Sequence, residues 1–337
     1  MPYPQVLCLG EVLFDYLADV PLETLPNPPD AALPVVKSWT AYAGGAPANV
    51  ACGLVKLGTA AGFIGCVGMD VGGEVLVQIL ATAGVDLTGV QRHPELPTRQ
   101  VYVLRSTTGE RYFAGFGDHQ AADAFADTAL QADALPVALF AQAQYLVLGT
   151  LMLAYPTSRQ AVQRALALAQ THQLTVVLDV NWRPQFWPDP SMAMSHIRAA
   201  IAQATFLKLA DDEAEWLFQT RDPGAIAAQF PNLHGVLLTQ GDQGCRYWIR
   251  GHQDHYPAFP VAVVDTTGAG DSFVAAFVHQ LCQSQGQCLA TAERIQATIA
   301  YANSVGALST TQPGAIAAQP TATAVRSFLQ HQAQLLS

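Results

Sequence analysis

The sequence is short of charge, and of lysine above all. Only 12% of its 337 residues are charged, against roughly 25% in an average soluble protein. Lysine occurs three times, at Lys37, Lys56 and Lys208, and the formal net charge is −10. Without clustered Lys and Arg no surface can neutralise a phosphate backbone, which argues against general nucleic-acid binding. An anionic small ligand is not excluded, because turned backbone amides and a helix N-terminus hold phosphate locally even in an acidic protein.

Long apolar runs are missing too. The longest are strand-length or broken by polar residues, so a membrane span is not expected. Met1-Pro-Tyr-Pro-Gln5 lacks a basic segment and leads straight into Val6-Leu-Cys-Leu9, a first strand rather than a signal peptide. The six cysteines include no C-x-x-C pair. Buried free thiols in a reducing cytoplasm are the expectation. No Gly-Lys dipeptide occurs, so a Walker-type P-loop is absent, as are the His-Arg-Asp and Asp-Phe-Gly motifs of protein kinases.

What is present is core. Half of the residues are hydrophobic, and short apolar runs alternate with helical patterns, the mark of βαβ units. Strands are expected at Val6–Leu9, Ala61–Cys66, Tyr145–Leu148, Thr175–Asp179, Phe206–Leu209 and Val236–Thr239. Helical periodicity covers Ala48–Leu57, Gly73–Ala83, Thr157–Thr171, Met192–Ala204, Asp212–Thr220, Asp271–Gln283 and Ala292–Ser304. Parallel strands joined by helices need both faces covered, giving a three-layer α/β/α sandwich around a mostly parallel sheet. Two regions break the rhythm. Pro21–Pro34 is proline-rich and reads as a loop; Gln100–Phe116, with a turn signal at Thr107-Thr-Gly-Glu110, reads as a β-hairpin outside the main sheet. Such an appendage is a candidate lid.

The strongest chemical signal is Asp265-Thr-Thr-Gly-Ala-Gly-Asp-Ser-Phe273 ahead of a helical run. A Gly-Ala-Gly loop lets backbone amides converge at a helix start, where they and the helix dipole stabilise an anion. Asp271 reads either as an ordinary N-terminal cap or as a proton acceptor beside that cradle. A dinucleotide fingerprint fails, because Phe273 stands where Gly or Ala is needed.

Asp265–Val278 resembles the C-terminal signature of the ribokinase-like (PfkB) carbohydrate kinases, and Gly44-Gly-Ala-Pro-Ala-Asn-Val-Ala51 resembles their N-terminal one. The resemblance runs from Val6 to about Leu329 and implies one kinase domain over 1–337, with a β lid drawn from about 12–40 and 97–118. It implies an ATP-dependent phosphotransferase acting on a sugar hydroxyl. Gly268, Ala269 and Gly270 would form the anion hole and Asp271 the general base. Asp15, the Gly44-Gly45 backbone and Asn49 would hold the sugar. Glu213 in Lys208-Leu-Ala-Asp-Asp-Glu213 matches the acid that helps place Mg²⁺ through water, although Ala210 stands where the family's Asn is usual. Thr239, Gly241 and Gly244 border the nucleotide in the resemblance, Asn303 lies near adenine, and Asp265 and Thr267 match positions beside a monovalent cation such as K⁺. Without the family these would read as a turn, a helical Asn, and an acidic first helical turn favoured by the dipole.

Among family branches the opening Gly10-Glu-Val-Leu-Phe-Asp15, the Gly-Gly-Ala-Pro loop and Gly306–Ile316 lean toward fructokinase, with transfer to the 6-hydroxyl of D-fructose. Asp179-Val-Asn-Trp-Arg183 is shared in form with 2-keto-3-deoxygluconate kinases, so Arg183 does not separate a neutral sugar from a sugar acid. Ribokinase is a further alternative, and a non-catalytic sugar or nucleotide sensor the rival from another class. The resemblance allows a homodimer. His252-Gln-Asp-His255 has no evident third metal ligand and reads as a solvated turn. Arg99, Arg105 and Arg111 either reach a substrate phosphate or solvate an edge strand.

Overall fold

Successive side chains of a strand point to opposite faces, so an apolar strand buried on both sides feeds two cores. The first strand does so: Leu7 and Leu9 join one hydrophobic cluster, Val6 and Cys8 the other. This computed structural model describes residues 3–20, 22, 38–106 and 111–335. Most of the proline-rich stretch read as a loop, and the turn at 107–110, lie outside the described residues.

In chain order, β1 (Val6–Leu9) is followed by β2 (Leu13–Ala18), β3 (Trp39–Gly44), α1 (Ala46–Leu57), β4 (Ala61–Gly68), α2 (Val71–Ala83) and β5 (Asp86–His93). Next come β6 (Gln100–Arg105), β7 (Arg111–Phe116), α3 (Val137–Phe140), β8 (Tyr145–Leu148), α4 (Pro156–Thr171) and β9 (Thr175–Asp179). Then follow α5 (Ala193–Ile201), β10 (Phe206–Ala210), α6 (Asp211–Phe218), α7 (Pro223–Ala227), β11 (Gly235–Thr239), β12 (Cys245–Ile249) and β13 (His252–Tyr256). The chain closes with α8 (Ala269–Ser284), α9 (Ala292–Ser309), α10 (Ala315–Ala318) and α11 (Ala322–Leu335).

The main sheet has the order β13-β12-β11-β10-β9-β8-β1-β4-β5 among the described residues, parallel except for β12 and β13. Helices α4, α5, α6 and α7 pack on the face reached by Leu7 and Leu9, while α1, α2, α8 and α9 cover the other. From β1 the chain first winds outward through β4 and β5, then crosses back to β8 and winds the opposite way. In open α/β sheets a ligand crevice forms at such a reversal, beyond the carboxyl ends of the strands.

The smaller sheet, of order β3-β2-β6-β7, stands apart from the main one. The Gln100–Phe116 hairpin is there, but β2 runs parallel to β6 and β3 extends to Gly44. The expected strands of the main sheet coincide with those observed to within two residues; β5 and the edge pair β12 and β13 carried too weak an alternation to be marked. His252-Gln-Asp-His255 is therefore not a turn but most of β13, and the reversal lies at Arg250-Gly251, both with positive φ. All six cysteines are free and buried. Among the described residues no helix is long and apolar enough to cross a membrane.

Candidate active site

Glycine is required at one position of the loop before α8 and leaves room for a charged side chain at another. Gly268, the N-cap, has φ 74°, and a Cβ there would lie 2.8 Å from the Ala315 methyl. At Gly270 a Cβ would lie 3.0 Å from Lys208 Nζ. Asp271 is consequently not the cap that its position suggested. It is the third helical residue, buried, and its Oδ2 accepts a hydrogen bond from Asn49 Nδ2 at 2.7 Å. Burial and the neighbouring Asp179 push its carboxyl up to about 6, against the Asn49 hydrogen bond and the positive charges of Lys208 and Arg183. A carboxylate poised near neutrality is suited to take up a proton.

Asn49 reaches it from the first turn of α1, which Gly45 starts at φ 104°. A Cβ on Gly45 would lie 2.5 Å from Glu11 O, and one on Gly44 would lie 2.9 Å from Asp15 Oδ2. The Gly44-Gly45 pair therefore lets β3 pass close to Asp15 on the adjacent strand β2. Asn49 Oδ1 is buried and has no hydrogen-bond partner. Such an orphaned acceptor calls for a donor, and a sugar hydroxyl is one. Buried Glu11 supports the same turn by accepting from Ala46 N at 3.0 Å; burial raises its carboxyl to about 7. Arg183 is exposed on the loop leaving β9, and its charge is felt by Asp271.

On the other side of the loop Thr239, Gly241, Gly244, Asn303, Ala269 and Gly270 line one cleft of about 580 Å³. The four expected nucleotide-side residues thus meet the anion loop. Asn303 has a structural duty as well, since its amide donates to Tyr256 O and Pro257 O.

Glu213 is almost fully buried. Its Oε1 accepts from Trp182 N at 2.6 Å and its Oε2 from Ala210 N at 2.7 Å, so it clamps two strand ends together. The backbone amide of Ala210 is satisfied from within the turn, although that residue has no capping side chain. Both Glu213 oxygens keep a second lone pair for a metal-bound water, and Asp211 Oδ1, two residues earlier in the same first turn, is buried without a partner. That donor set fits a hydrated Mg²⁺. Asp265 accepts from Thr267 N and Thr267 Oγ1 at one oxygen and from Gly314 N at the other, so these bonds leave its Oδ2 a second lone pair that K⁺ could use.

Two residues that carried no expected role also converge here. Lys208 Nζ lies 3.0 Å and 3.2 Å from the two Asp179 oxygens, both residues being buried. The signal was available: a lysine inside an otherwise apolar strand, in a chain with only three. Arg99, by contrast, fills neither role expected of it. It is buried, pairs with Asp127, and has the faces of Phe116, Phe125, Tyr155 and Phe186 around it. Among the described residues no cluster of three or more His, Cys, Asp or Glu could hold a metal, His252 and His255 included.

Residues 4–322 match the profile of the pfkB family carbohydrate kinases. The chain belongs to that family. A probable fructokinase-2 from Arabidopsis thaliana is 33% identical over 332 residues, covering 98% of this chain and 97% of that one. The structure of fructokinase with bound ATP from Xylella fastidiosa superposes with a TM-score of 0.86 at 28% identity, covering 97% and 98%. A fructokinase double mutant from Vibrio cholerae O395, with fructose, ADP and potassium ion bound, gives 0.81 at 26% identity over 97% and 98%. This pfkB kinase is accordingly a sugar phosphotransferase with the ribokinase-like fold, its smaller sheet forming the lid.

Proposed function

We propose that this pfkB kinase is a fructokinase, transferring the γ-phosphoryl group of ATP to the 6-hydroxyl of D-fructose. The observation that carries the reading is the 2.7 Å contact between Asn49 and Asp271, which unites the sugar-side glycine turn with the phosphate-side loop. Asp15, the Gly44-Gly45 backbone and the free Oδ1 of Asn49 bind sugar hydroxyls, and Arg183 closes that side. Asp271 takes the proton of the attacking hydroxyl, while the amides of Gly268, Ala269 and Gly270 stabilise the charge of the phosphoryl group in transit. Thr239, Gly241, Gly244 and Asn303 hold the nucleotide in their cleft. Glu213 and Asp211 would hold the waters of a bound Mg²⁺, which would supply neutralisation of the phosphate charge. The fructokinase names of the relatives support fructose, and the ATP, fructose and ADP named in the Xylella and Vibrio structures support the substrate pair.

Coupled ADP release with fructose, ribose, 2-keto-3-deoxygluconate, adenosine and glucose in parallel tests this. Fructose is expected to give the highest kcat/KM, with fructose 6-phosphate as product. Faster turnover of 2-keto-3-deoxygluconate would transfer the assignment to a sugar acid, with Arg183 as its carboxylate partner. ADP release with none of the five would leave a binding module.

A further inference from the structure

Lys208 is a charged residue midway along β10, inside the parallel part of the sheet, and is only 6% exposed. An ammonium has three N–H donors. Both oxygens of a single carboxylate, Asp179 at the end of β9, lie within reach of it, at 3.0 Å and 3.2 Å. A third donor is thereby left over. Gly270 of the anion loop stands against it: the place where its side chain would begin is 3.0 Å from Nζ, nearer than to any other atom around it. Gly270 also lines the nucleotide-side cleft. Burial works against the charge on Lys208, yet Asp179, Glu213 and Asp271 outweigh it and hold the ammonium protonated. A buried cation surrounded by more carboxylates than it can neutralise is an expensive arrangement for stability alone. Beneath a loop built to receive an anion, it becomes intelligible.

We propose that Lys208 donates a hydrogen bond to the phosphoryl group in transit, with Asp179 as the counter-ion that stations the ammonium beneath Gly270. The inference rests on the phosphotransfer reading above. In that step the sugar hydroxyl oxygen bonds to the γ-phosphorus and the bond from phosphorus to the β-phosphate oxygen breaks. The hydroxyl proton passes to Asp271, and Lys208 keeps all of its protons. Lys208 and the loop amides then approach the transferring group from two sides, the amides along the α8 axis and the ammonium from β10.

The charged groups facing Asp271 are Asp179 on β9, Lys208 on β10, Arg183 on the loop after β9 and Glu11 after β1, with Asn49 of α1 bonded to it directly. Removing Asp179 takes away a repelling charge and removing Lys208 an attracting one, so their effects on the acid limb of kcat/KM have opposite signs. Asp179→Asn should move that limb to lower pH. Adding Lys208→Met to Asp179→Asn should move it back up, by roughly one pH unit, because no titrating partner is left behind to compensate. The same addition should lower kcat by roughly 10²–10³-fold, as loss of one charge-stabilising donor does, with the sugar KM within about threefold. A purely structural ion pair predicts otherwise: once Asp179→Asn has broken the pair, the further change leaves kcat where it was, although the limb still moves because the charge of Lys208 acts on Asp271 in either case. An unchanged kcat overturns the proposal. The double variant avoids stranding a buried charge, so it keeps the test open where Lys208→Met alone fails to fold. Wild-type enzyme, assayed alongside on fructose, separates the two ideas. If it turns over normally while the variants behave as the structural pair predicts, only the role of Lys208 falls; if it releases no ADP with any acceptor, the phosphotransfer reading falls with it.

Discussion

Asn49 and Asp271 stand 222 residues apart in sequence and 2.7 Å apart in space, the amide of one donating to the carboxylate of the other. The bond ties the helix that begins at the glycine turn to the helix that begins at the anion loop. It also fixes which oxygen of Asp271 is occupied, leaving the other for a substrate proton. Replacing Asn49 by Ala removes a bond that holds the Asp271 carboxyl down. The acid limb of kcat/KM should then rise above its wild-type position, and the sugar KM should rise roughly tenfold or more, since a buried hydroxyl partner is lost. A pH–rate series on purified protein reads both.

Asp271→Ala should lower turnover by roughly 10²–10⁴-fold, the usual scale for losing a positioned base. ATP binding should change little, because the loop amides remain. Near-normal kcat in a folded variant would remove Asp271 from the chemistry.

The same residue weighs on stability with a definite sign. In the unfolded chain an aspartate ionises around 3.9; in the folded protein burial lifts Asp271 to about 6. Between those values the folded state binds the extra proton, so this group's contribution to stability falls as pH rises from about 4 to about 6. Above that window the penalty is complete, on the order of 3 kcal/mol. Asp271→Asn, which can still accept from Asn49, should therefore raise Tm at pH 8 and scarcely change it at pH 4. Thermal melts at the two pH values check the sign. An active-site group that costs stability is the expected trade-off.

Much of this site was legible because it lies on local signals. The glycines at 44–45 and 268–270 have conformations or contacts that a side chain would spoil, and the apolar strands are continuous enough to mark six of the nine in the main sheet. What could not be read was non-local. Nothing near Lys208 in sequence indicates that it meets Asp179, 29 residues earlier, under a loop 60 residues later. The partly exposed strands β2 and β3 lack clean alternation because aromatic residues such as Tyr16, Tyr42 and Trp39 occur on both faces of the small sheet. Arg99 misled for the related reason that arginines near a hairpin are usually solvated. Its four ring partners come from β7 and from three separate segments further along the chain.

Gly270→Ala separates space from fold. The new methyl would meet only the end of the Lys208 side chain, at 3.0 Å, and a flexible tip can move aside. Stability should therefore change by less than about 1 kcal/mol, the better helix propensity of Ala offsetting the crowding. Turnover should nevertheless fall by roughly tenfold or more, since displacement of one charged group by about 1 Å is enough to disturb transfer. Unaltered kcat would mean that the ammonium's position beneath the loop is immaterial.

Arg99 offers the complementary case, a charge whose loss should unsettle the fold around the lid. Its Nε and Nη2 donate to the two oxygens of Asp127 at 2.6 Å and 2.9 Å, and Nη2 also donates to Ala122 O. Nη1 is buried without a hydrogen-bond acceptor, and the ring faces around the guanidinium, the nearest centred 4.6 Å from it, take the place of one. Through its backbone carbonyl, Arg99 also receives Phe14 N of β2. One residue thus fastens β2, β6 and β7 of the small sheet to the segment bearing Asp127 and to the Phe186 loop that follows Arg183. Arg99→Met leaves the Asp127 carboxylate buried and unpaired, which should cost about 3–5 kcal/mol in urea denaturation. Pairing it with Asp127→Leu removes the stranded charge and should recover most of that loss, whereas the sugar KM should stay raised because the cage that anchors the lid is still broken. Full recovery of KM in the double variant would show that Arg99 serves stability alone.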